Sequence, residues 1–421
     1  MGEKILSISI AAYNVEPYLE RTLQSLVCDG DVMDKFEVLI IDDGSVDGTA
    51  SIARKYMENY PNTFIMIQKE NGGHGSALTA SISRAQGRYF KMLDGDDWYE
   101  TEGLQQLIIE LEKMDADIIL SYYKRIYERD GRIEEIVRHQ LIAGKKYTVD
   151  CLNSSLLEVI HAHEMTVRTA VLKKQFFPLT EHCAYTDDEY VFWAILHADT
   201  YMKLPIYVYC YRIGTEGQTV TTEGRKKHWR DAGKVVLAML RRYAACDKKN
   251  MFELKKKYLF EAIYHTVEFQ YANYFLAENI SEVERDFEGF NSRLETMNAE
   301  FYEWIKENNR DYKWLKQLFG AAHKIGNREC VIFGMGAYGK AALKIFRGKG
   351  VSVTACADND SRLWNTEING VTVCEPNTIK LEYPQALVFI AASKHGSAIY
   401  RQLIGMDIDI TKIINNEEYN E

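Results

Sequence analysis

Three carboxylates crowd the stretch FKMLDGDDWYE at residues 90–100: Asp94, Asp96 and Asp97. An apolar, strand-like lead runs into them, and Trp98 and Tyr99 close the stretch. Like charges this close repel, and the nearest cations in sequence are Arg88 and Lys91. A lone Asp-rich loop is ordinarily a solvated turn. This one follows a predicted buried strand, so the fold itself would hold the carboxylates together. Mg²⁺ or Mn²⁺ takes hard oxygen ligands, typically one or two carboxylates plus substrate phosphates. Asp94-x-Asp96 puts two carboxylates on one side of an extended turn, where a cation could bridge them to a diphosphate. Without the ion, at least one of them should show a raised pKa. Asp42–Asp43 ends a second predicted strand and could accept hydrogen bonds from a base or ribose.

The elements that must position these groups alternate in type. ILSISIAAY, FEVLIID, TFIMIQK, RYFKMLD and ADIILSYYKR read as strands. EPYLERTLQSLV, TASIARKYMENY, a segment around Ser76–Ala85 and GLQQLIIELEKM read as the helices between them. That alternation implies α/β architecture with a parallel sheet covered on both faces. Ligands of such sheets sit beyond the carboxyl ends of the strands. The polar and glycine residues collect in those loops: AAYN (11–14), DDGSVDG (42–48), KENGGHG (69–75) and DGDD (94–97). Residues 126–220 are mixed. Residues 228–322 carry apolar residues at spacings of three and four without proline, as in a helical bundle.

AAYN, IIDDGSVDGT, NGGHGSAL and LDGDDW, in this order and spacing, resemble inverting glycosyltransferases of family 2 with the GT-A fold. The resemblance covers roughly residues 4–220 and extends to HEMTVRTAVLKKQF, EHCAYTDDEYVFW and YCYRIGTEGQTV, similar to bacterial members that build surface polysaccharides. It implies a nucleotide-sugar donor, UDP first, and a glycan or lipid-linked acceptor. Tyr13 and Asn14 would meet the nucleoside, Asp42 the uracil edge, and Gly73 the donor. Asp94 would contact the ribose or the metal, and Asp96 would ligate the metal. Arg212 and Gln218 would close over the phosphates. Asp187 stands where the family has its catalytic base, with Asp188 and Glu189 directly after it as alternatives. Its other role is helix entry, since acidic residues favour that end.

Other residues carry less. His74 either touches a sugar or shapes its glycine turn. His228 could complete a metal sphere, but a helix start is its plainer role. His161, His163 and Glu164 form HAHE, metal-like in type, yet read as acceptor-side structure. Arg225–Lys227 with Arg230, and Lys255–Lys257, read first as solvated helix faces; the former could also touch an anionic lipid headgroup.

VIFGMGAYGKAALKIF places Gly334, Gly336 and Gly339 between a strand and a helix, and Asp358 ends the next strand 19 residues on. This is the context that makes a glycine motif a dinucleotide fingerprint. A nucleotide or NAD(P) is therefore the candidate ligand, and the glycines would also serve plain packing. The expected organisation is a GT-A domain at 1–225 with a Rossmann-like mixed sheet between helices, a helical region at 226–325, and a small Rossmann-like α/β domain at 326–421.

The 421 residues are 46% hydrophobic, enough for two or three domains. A net charge of −10 argues against nucleic acid as a partner. The start has no signal-peptide pattern, and no stretch approaches ~20 apolar residues. A cytoplasmic protein is expected, with peripheral membrane contact and homo-oligomerisation left open. The eight scattered cysteines read as reduced thiols. Two other classes compete. A nucleotide-regulated oxidoreductase working through the C-terminal motif lacks a recognisable catalytic pair. A non-catalytic assembly protein would not need Asp94, Asp96 and Asp187 together.

Overall fold

The structure, a computed structural model, describes residues 3–137, 141–149, 160–174, 178–215, 217–246, 248–249, 251–392 and 395–414. Two compact units divide it, Met1–Gln270 and Tyr271–Glu421.

The first unit is built on one mixed sheet. Its strands are β1 (Leu6–Ala12), β2 (Phe36–Asp42), β3 (Phe64–Gln68), β4 (Tyr89–Asp94), β5 (Trp98–Tyr99), β6 (Ile118–Tyr127), β7 (Ile133–Ile136), β8 (Tyr147–Thr148), β9 (Met165–Arg168) and β10 (Thr200–Ile213). The order is β3-β2-β1-β4-β9-β6-β10-β5, with β7 on β6 and β8 on β10. β3, β2, β1 and β4 are parallel, and β9 runs antiparallel between β4 and β6. β1 shows why the pattern folds this way. Leu6, Ile8 and Ile10 pack into a core with Leu19, Leu23, Leu104 and Ile108. Ser7 and Ser9, on the other face, are buried but satisfied, donating to Glu37 at 2.6 Å and Ser81 at 2.7 Å.

The helices of this unit are α1 (Glu16–Gln24), α2 (Thr49–Asn59), α3 (His74–Arg84), α4 (Thr101–Leu111), α5 (Thr169–Lys173), α6 (Thr186–His197), α7 (Thr222–Lys227), α8 (Asp231–Ala245) and α9 (Glu253–Tyr274). His74 opens α3 rather than lying in the loop before it. α4 lies so close on β10 that a Cβ on Gly103 would meet the Tyr207 carbonyl oxygen at 1.9 Å.

In the second unit, the helical stretch from Ile280 is divided into three helices. α10 (Ile280–Met297), α11 (Ala299–Asn308) and α12 (Arg310–Ile325) are separated by Asn298 and Asn309. Both side chains accept from a backbone N–H three residues on, which favours a new helix start over continuation. A six-stranded sheet follows: β11 (Glu329–Phe333), β12 (Ser352–Ala357), β13 (Glu367–Ile368), β14 (Val371–Cys374), β15 (Leu387–Ile390) and β16 (Ile413–Ile414), ordered β13-β14-β12-β11-β15-β16. α13 (Ala337–Gly348), α14 (Pro376–Glu382) and α15 (Gly396–Gly405) connect it. Among the described residues no helix is long and apolar enough to cross a membrane. The seven described cysteines are free; Cys151 lies outside the described residues.

Candidate active site

β1 lies between β2 and β4, with Ala12 opposite Asp42 and Ala11 opposite Asp94. Two strand spacings, about 10 Å, therefore separate the ends that carry Asp42 and Asp94.

At the β2 end, Asp42 accepts from the Ser45 backbone N–H at 2.9 Å and the Gln68 amide at 3.0 Å. The Asn14 N–H donates to Ser45 Oγ at 3.1 Å, and Asn14 Oδ1 accepts from the Val46 N–H. Asn14 holds a left-handed φ of 52°, which asparagine tolerates. Tyr13 beside it is 51% exposed. Asp43, expected with Asp42 to accept from a base or ribose, has a structural task. It pairs with Lys69 at 2.7 Å and accepts from the Gly72 and Gly73 N–H groups. Gly73 needs its freedom here, at φ 82° and close to the His182 backbone.

At the β4 end the three carboxylates part. Asp97 is buried, accepting from the Arg212 N–H and the Tyr209 hydroxyl, each at 2.7 Å. Asp94 is half-buried, within 3.1 Å of the same hydroxyl and 3.3 Å of His74 Nε2. Asp96 is half-buried and holds Arg212 through its backbone carbonyl, at 2.7 Å from Nε. Arg212 also pairs with Glu128 at 2.6 Å and lies over the Tyr18 and Trp98 rings. Gln218 folds its loop back, donating to the Arg212 carbonyl at 2.7 Å.

Charge follows from this layout. Burial and the Asp94 charge push Asp96 up to about 6, and burial with both neighbours pushes Asp97 well above the carboxylate range. The expected mutual repulsion is present. Burial would raise Asp94 too, but the hydrogen bond and charge of His74 hold it low. His74 is raised in turn: burial lowers it, and Asp94, Asp187 and Asp43 outweigh that.

His74 also joins the β4 loop to α6, its Nδ1 lying 2.9 Å from the Thr186 hydroxyl. Asp187 follows Thr186, and its carboxyl is raised by burial, eased by His74 and pushed further by Asp94. Asp188 and Glu189 face elsewhere. Asp188 lines a separate cavity, while buried Glu189 pairs with Arg242, 2.9 Å from Nε, and accepts from the Thr180 N–H. Tyr185, ahead of the helix, sits at φ 64°, and its hydroxyl donates to the Thr219 carbonyl.

Two further residues join the cluster: Tyr209, for which the local sequence carries no signal, and His163, whose HAHE run is metal-like in type but reads as acceptor-side structure. Tyr209 lies more than a hundred residues from the aspartates that it touches. His163, from HAHE, stacks on Tyr211 with centroids 4.5 Å apart and brings a ring nitrogen within 4.8 Å of ligand oxygens on Asp94 and Asp97. Its Nδ1 is buried without a hydrogen-bond partner. Burial drives its pKa down to about 4, so its ring is neutral at pH 7. An orphaned imidazole nitrogen beside two carboxylates suits a divalent cation. His228, weighed for that part, instead contacts Asp231 at 2.9 Å.

Gly334, Gly336, Gly339 and Asp358 lie in the second unit. Gly334 has φ 102°, and a Cβ on Gly339 would meet the Gly334 carbonyl oxygen at 1.8 Å. Asp358 accepts from the Met335 N–H at 2.6 Å, clamping the glycine loop.

Residues 7–176 match the family model for glycosyl transferase family 2, and residues 326–414 match a C2185-like N-terminal model. EpsH of Bacillus subtilis is 25% identical over 50% of this chain and 61% of its own length. Poly(ribitol-phosphate) beta-N-acetylglucosaminyltransferase TarS of Staphylococcus aureus is 24% identical over 51% of this chain and 37% of its own length. This chain thus spans less than two thirds of each of these relatives. The crystal structure of S. aureus TarS superposes with a TM-score of 0.51 at 19% identity, covering 74% of this chain and 55% of that one, a likeness of fold. The chain therefore carries a glycosyl transferase family 2 domain of the GT-A fold, followed by a C2185-like α/β unit.

Proposed function

We propose that the first unit is an inverting, divalent-metal-dependent glycosyltransferase. It moves a sugar from a nucleotide donor, UDP-linked, to a hydroxyl of a glycan or lipid-linked acceptor in bacterial surface-polysaccharide synthesis. The observation that carries this reading is the bridge through His74. It joins the carboxylates at the end of β4 to Thr186, and so to Asp187, at the start of α6.

Asp94 and Asp96, with Asp97 and His163 beside them, are the residues that would hold the cation. When bound, it supplies positive charge for the departing diphosphate. Tyr13, Asn14 and Asp42 bind the nucleoside at the β2 end, and Gly73 lets the backbone approach the donor. Arg212 and Gln218 set the loop that covers the phosphates. Asp187 takes the proton of the attacking hydroxyl, and its raised pKa strengthens it as a base. A single displacement inverts the anomeric centre. In the second unit Gly334, Gly336, Gly339 and Asp358 remain nucleotide-binding candidates, since α13 starts without a side-chain cap.

A thermal-shift panel of nucleotide sugars with and without Mn²⁺ tests this. A ligand at a hundredfold excess over its Kd adds ~2.7 kcal/mol of stability. UDP and one UDP-sugar should shift the melting only with Mn²⁺, and Asp96→Ala should lose the shift. A shift with NAD(P) alone, indifferent to metal, would move the working site to the second unit.

A further inference from the structure

β10 sets two tyrosines, Tyr209 and Tyr211, on one face of the sheet, two residues apart. Tyr209 is fully buried, and its hydroxyl is spent on Asp94 at 3.1 Å and Asp97 at 2.7 Å. His163 lies against both rings, edge-on to Tyr209 with centroids 4.7 Å apart and stacked on Tyr211 at 4.5 Å. The same imidazole brings a ring nitrogen within 4.8 Å of oxygens on Asp94 and Asp97. Tyr211 thus stands one ring away from these carboxylates. It differs from Tyr209 in two ways. It is only half-buried, and among the described residues its hydroxyl has no hydrogen-bond partner.

Tyrosine suits a place where the ring is packed and the polar tip meets a wet ligand. The charges that reach the Tyr211 tip show where it lies. Burial first, then Asp97, Asp94, Asp187 and Asp96, push its phenol up, so it stays protonated. Three of those carboxylates stand at the β4 end and the fourth at the start of α6. The transferase reading gives the two ends different tasks, the diphosphate at one and the attacking hydroxyl at the other. In a single displacement the sugar ring lies between leaving group and nucleophile. A hydroxyl within the field of both ends therefore lies beside that ring. It can donate to a sugar hydroxyl and accept from one.

We propose that Tyr211 is a donor-sugar-binding residue, whose hydroxyl shares a hydrogen bond with one ring hydroxyl of the sugar being transferred and makes none with the nucleoside diphosphate. The proposal rests on the transferase reading and adds to it a residue that selects the sugar.

Calorimetric titration of the full chain in Mn²⁺ tests it, with wild type beside Tyr211→Phe. The probes are UDP, UDP-glucose, UDP-galactose, UDP-N-acetylglucosamine and UDP-N-acetylgalactosamine. The variant removes one oxygen and keeps the ring on His163. The Kd of UDP should be unchanged, while that of the UDP-sugar preferred by wild type should rise about two- to tenfold, the effect of one lost hydrogen bond. Forms of that UDP-sugar deoxygenated at single ring carbons find the partner. One of them should bind wild type as weakly as the parent sugar binds Tyr211→Phe, and should lose nothing further in the variant. Equal weakening of UDP and UDP-sugar would place the hydroxyl on the diphosphate and overturn the proposal. Unchanged binding of both, deoxygenation losses that simply add to that of the variant, or a wild type that takes UDP and none of the UDP-sugars would overturn it too. A wild type that binds no UDP in Mn²⁺ would instead remove the transferase reading.

Discussion

His74 is the residue on which the candidate site turns. One ring nitrogen meets Asp94 and the other meets Thr186. His74→Ala removes the partner that holds Asp94 low, so Asp94 should join Asp96 and Asp97 in resisting ionisation. We expect transfer to fall roughly 10²-fold, within the range of lost acid–base positioning, and apparent Mn²⁺ affinity to fall with it. Manganese electron paramagnetic resonance checks the second effect directly; unchanged metal affinity would reduce His74 to a turn-former. Asp187→Asn should keep the UDP shift and lose transfer. Asp188→Asn giving that result instead would put the base one residue on. Much of this scale was legible, since AAYN, DDGSVDG, NGGHGS and DGDD each fall on a strand end of the sheet. What sequence could not show is the division of labour. Asp97, third of a visible trio, is buried under Tyr209 and the Arg212 amide, contacts made over more than a hundred residues.

At the scale of elements, α6 is where stability and chemistry meet. Its first turn carries Asp187, and Glu189, two residues on, anchors the helix to Arg242. Both partners of that pair are almost fully buried, at 1% and 5% exposure. Removing one leaves the other charged and unpaired, so Arg242→Ala should cost ~3–5 kcal/mol in a urea melt. A loss below 1 kcal/mol would mean that water reaches Glu189. The other end of α6 carries a pH signature. His197 would suit a helix C-terminus when charged. Burial first, then Lys174, Lys255 and Arg242, press its pKa down to about 4. Between pH 6.5 and 4 the unfolded chain then binds the extra proton, so stability falls as pH drops through that window. Wild type should lose roughly 2 kcal/mol from this group between pH 7 and 5. His197→Phe should lose that much less over the same interval; identical losses would clear His197. The sequence made α6 legible as a helix with an acidic start. It could not assign three consecutive acidic residues to a site, a cavity and an ion pair, because that depends on what packs round the helix. The Asn298 break, by contrast, was written in a capping residue that apolar spacing alone overlooks.

At the scale of the molecule, each unit has its own sheet and its own hydrophobic core, one around Ile8 and Leu107, the other around Val331 and Phe333. The α/β character of both was legible from alternating strands and helices, while residues 126–220 were not. There β6, β9 and β10 pair across long gaps, and β9 enters antiparallel between β4 and β6, which no local pattern encodes. Separate cores allow the two glycine-rich loops to be told apart by experiment. Gly339→Ala drives a methyl group onto the Gly334 carbonyl oxygen, which the second unit can relieve only by parting α13 from the glycine loop. That variant should lower the melting of the second unit by several degrees, the effect of a few kcal/mol in a domain of this size. The Mn²⁺-dependent UDP shift should survive unchanged, because Asp42, Asp94, Asp96 and Asp187 all belong to the first unit. Loss of the UDP shift in Gly339→Ala, with Asp96→Ala still responsive, would place the nucleotide on the α13 loop and take the donor away from the β4 carboxylates.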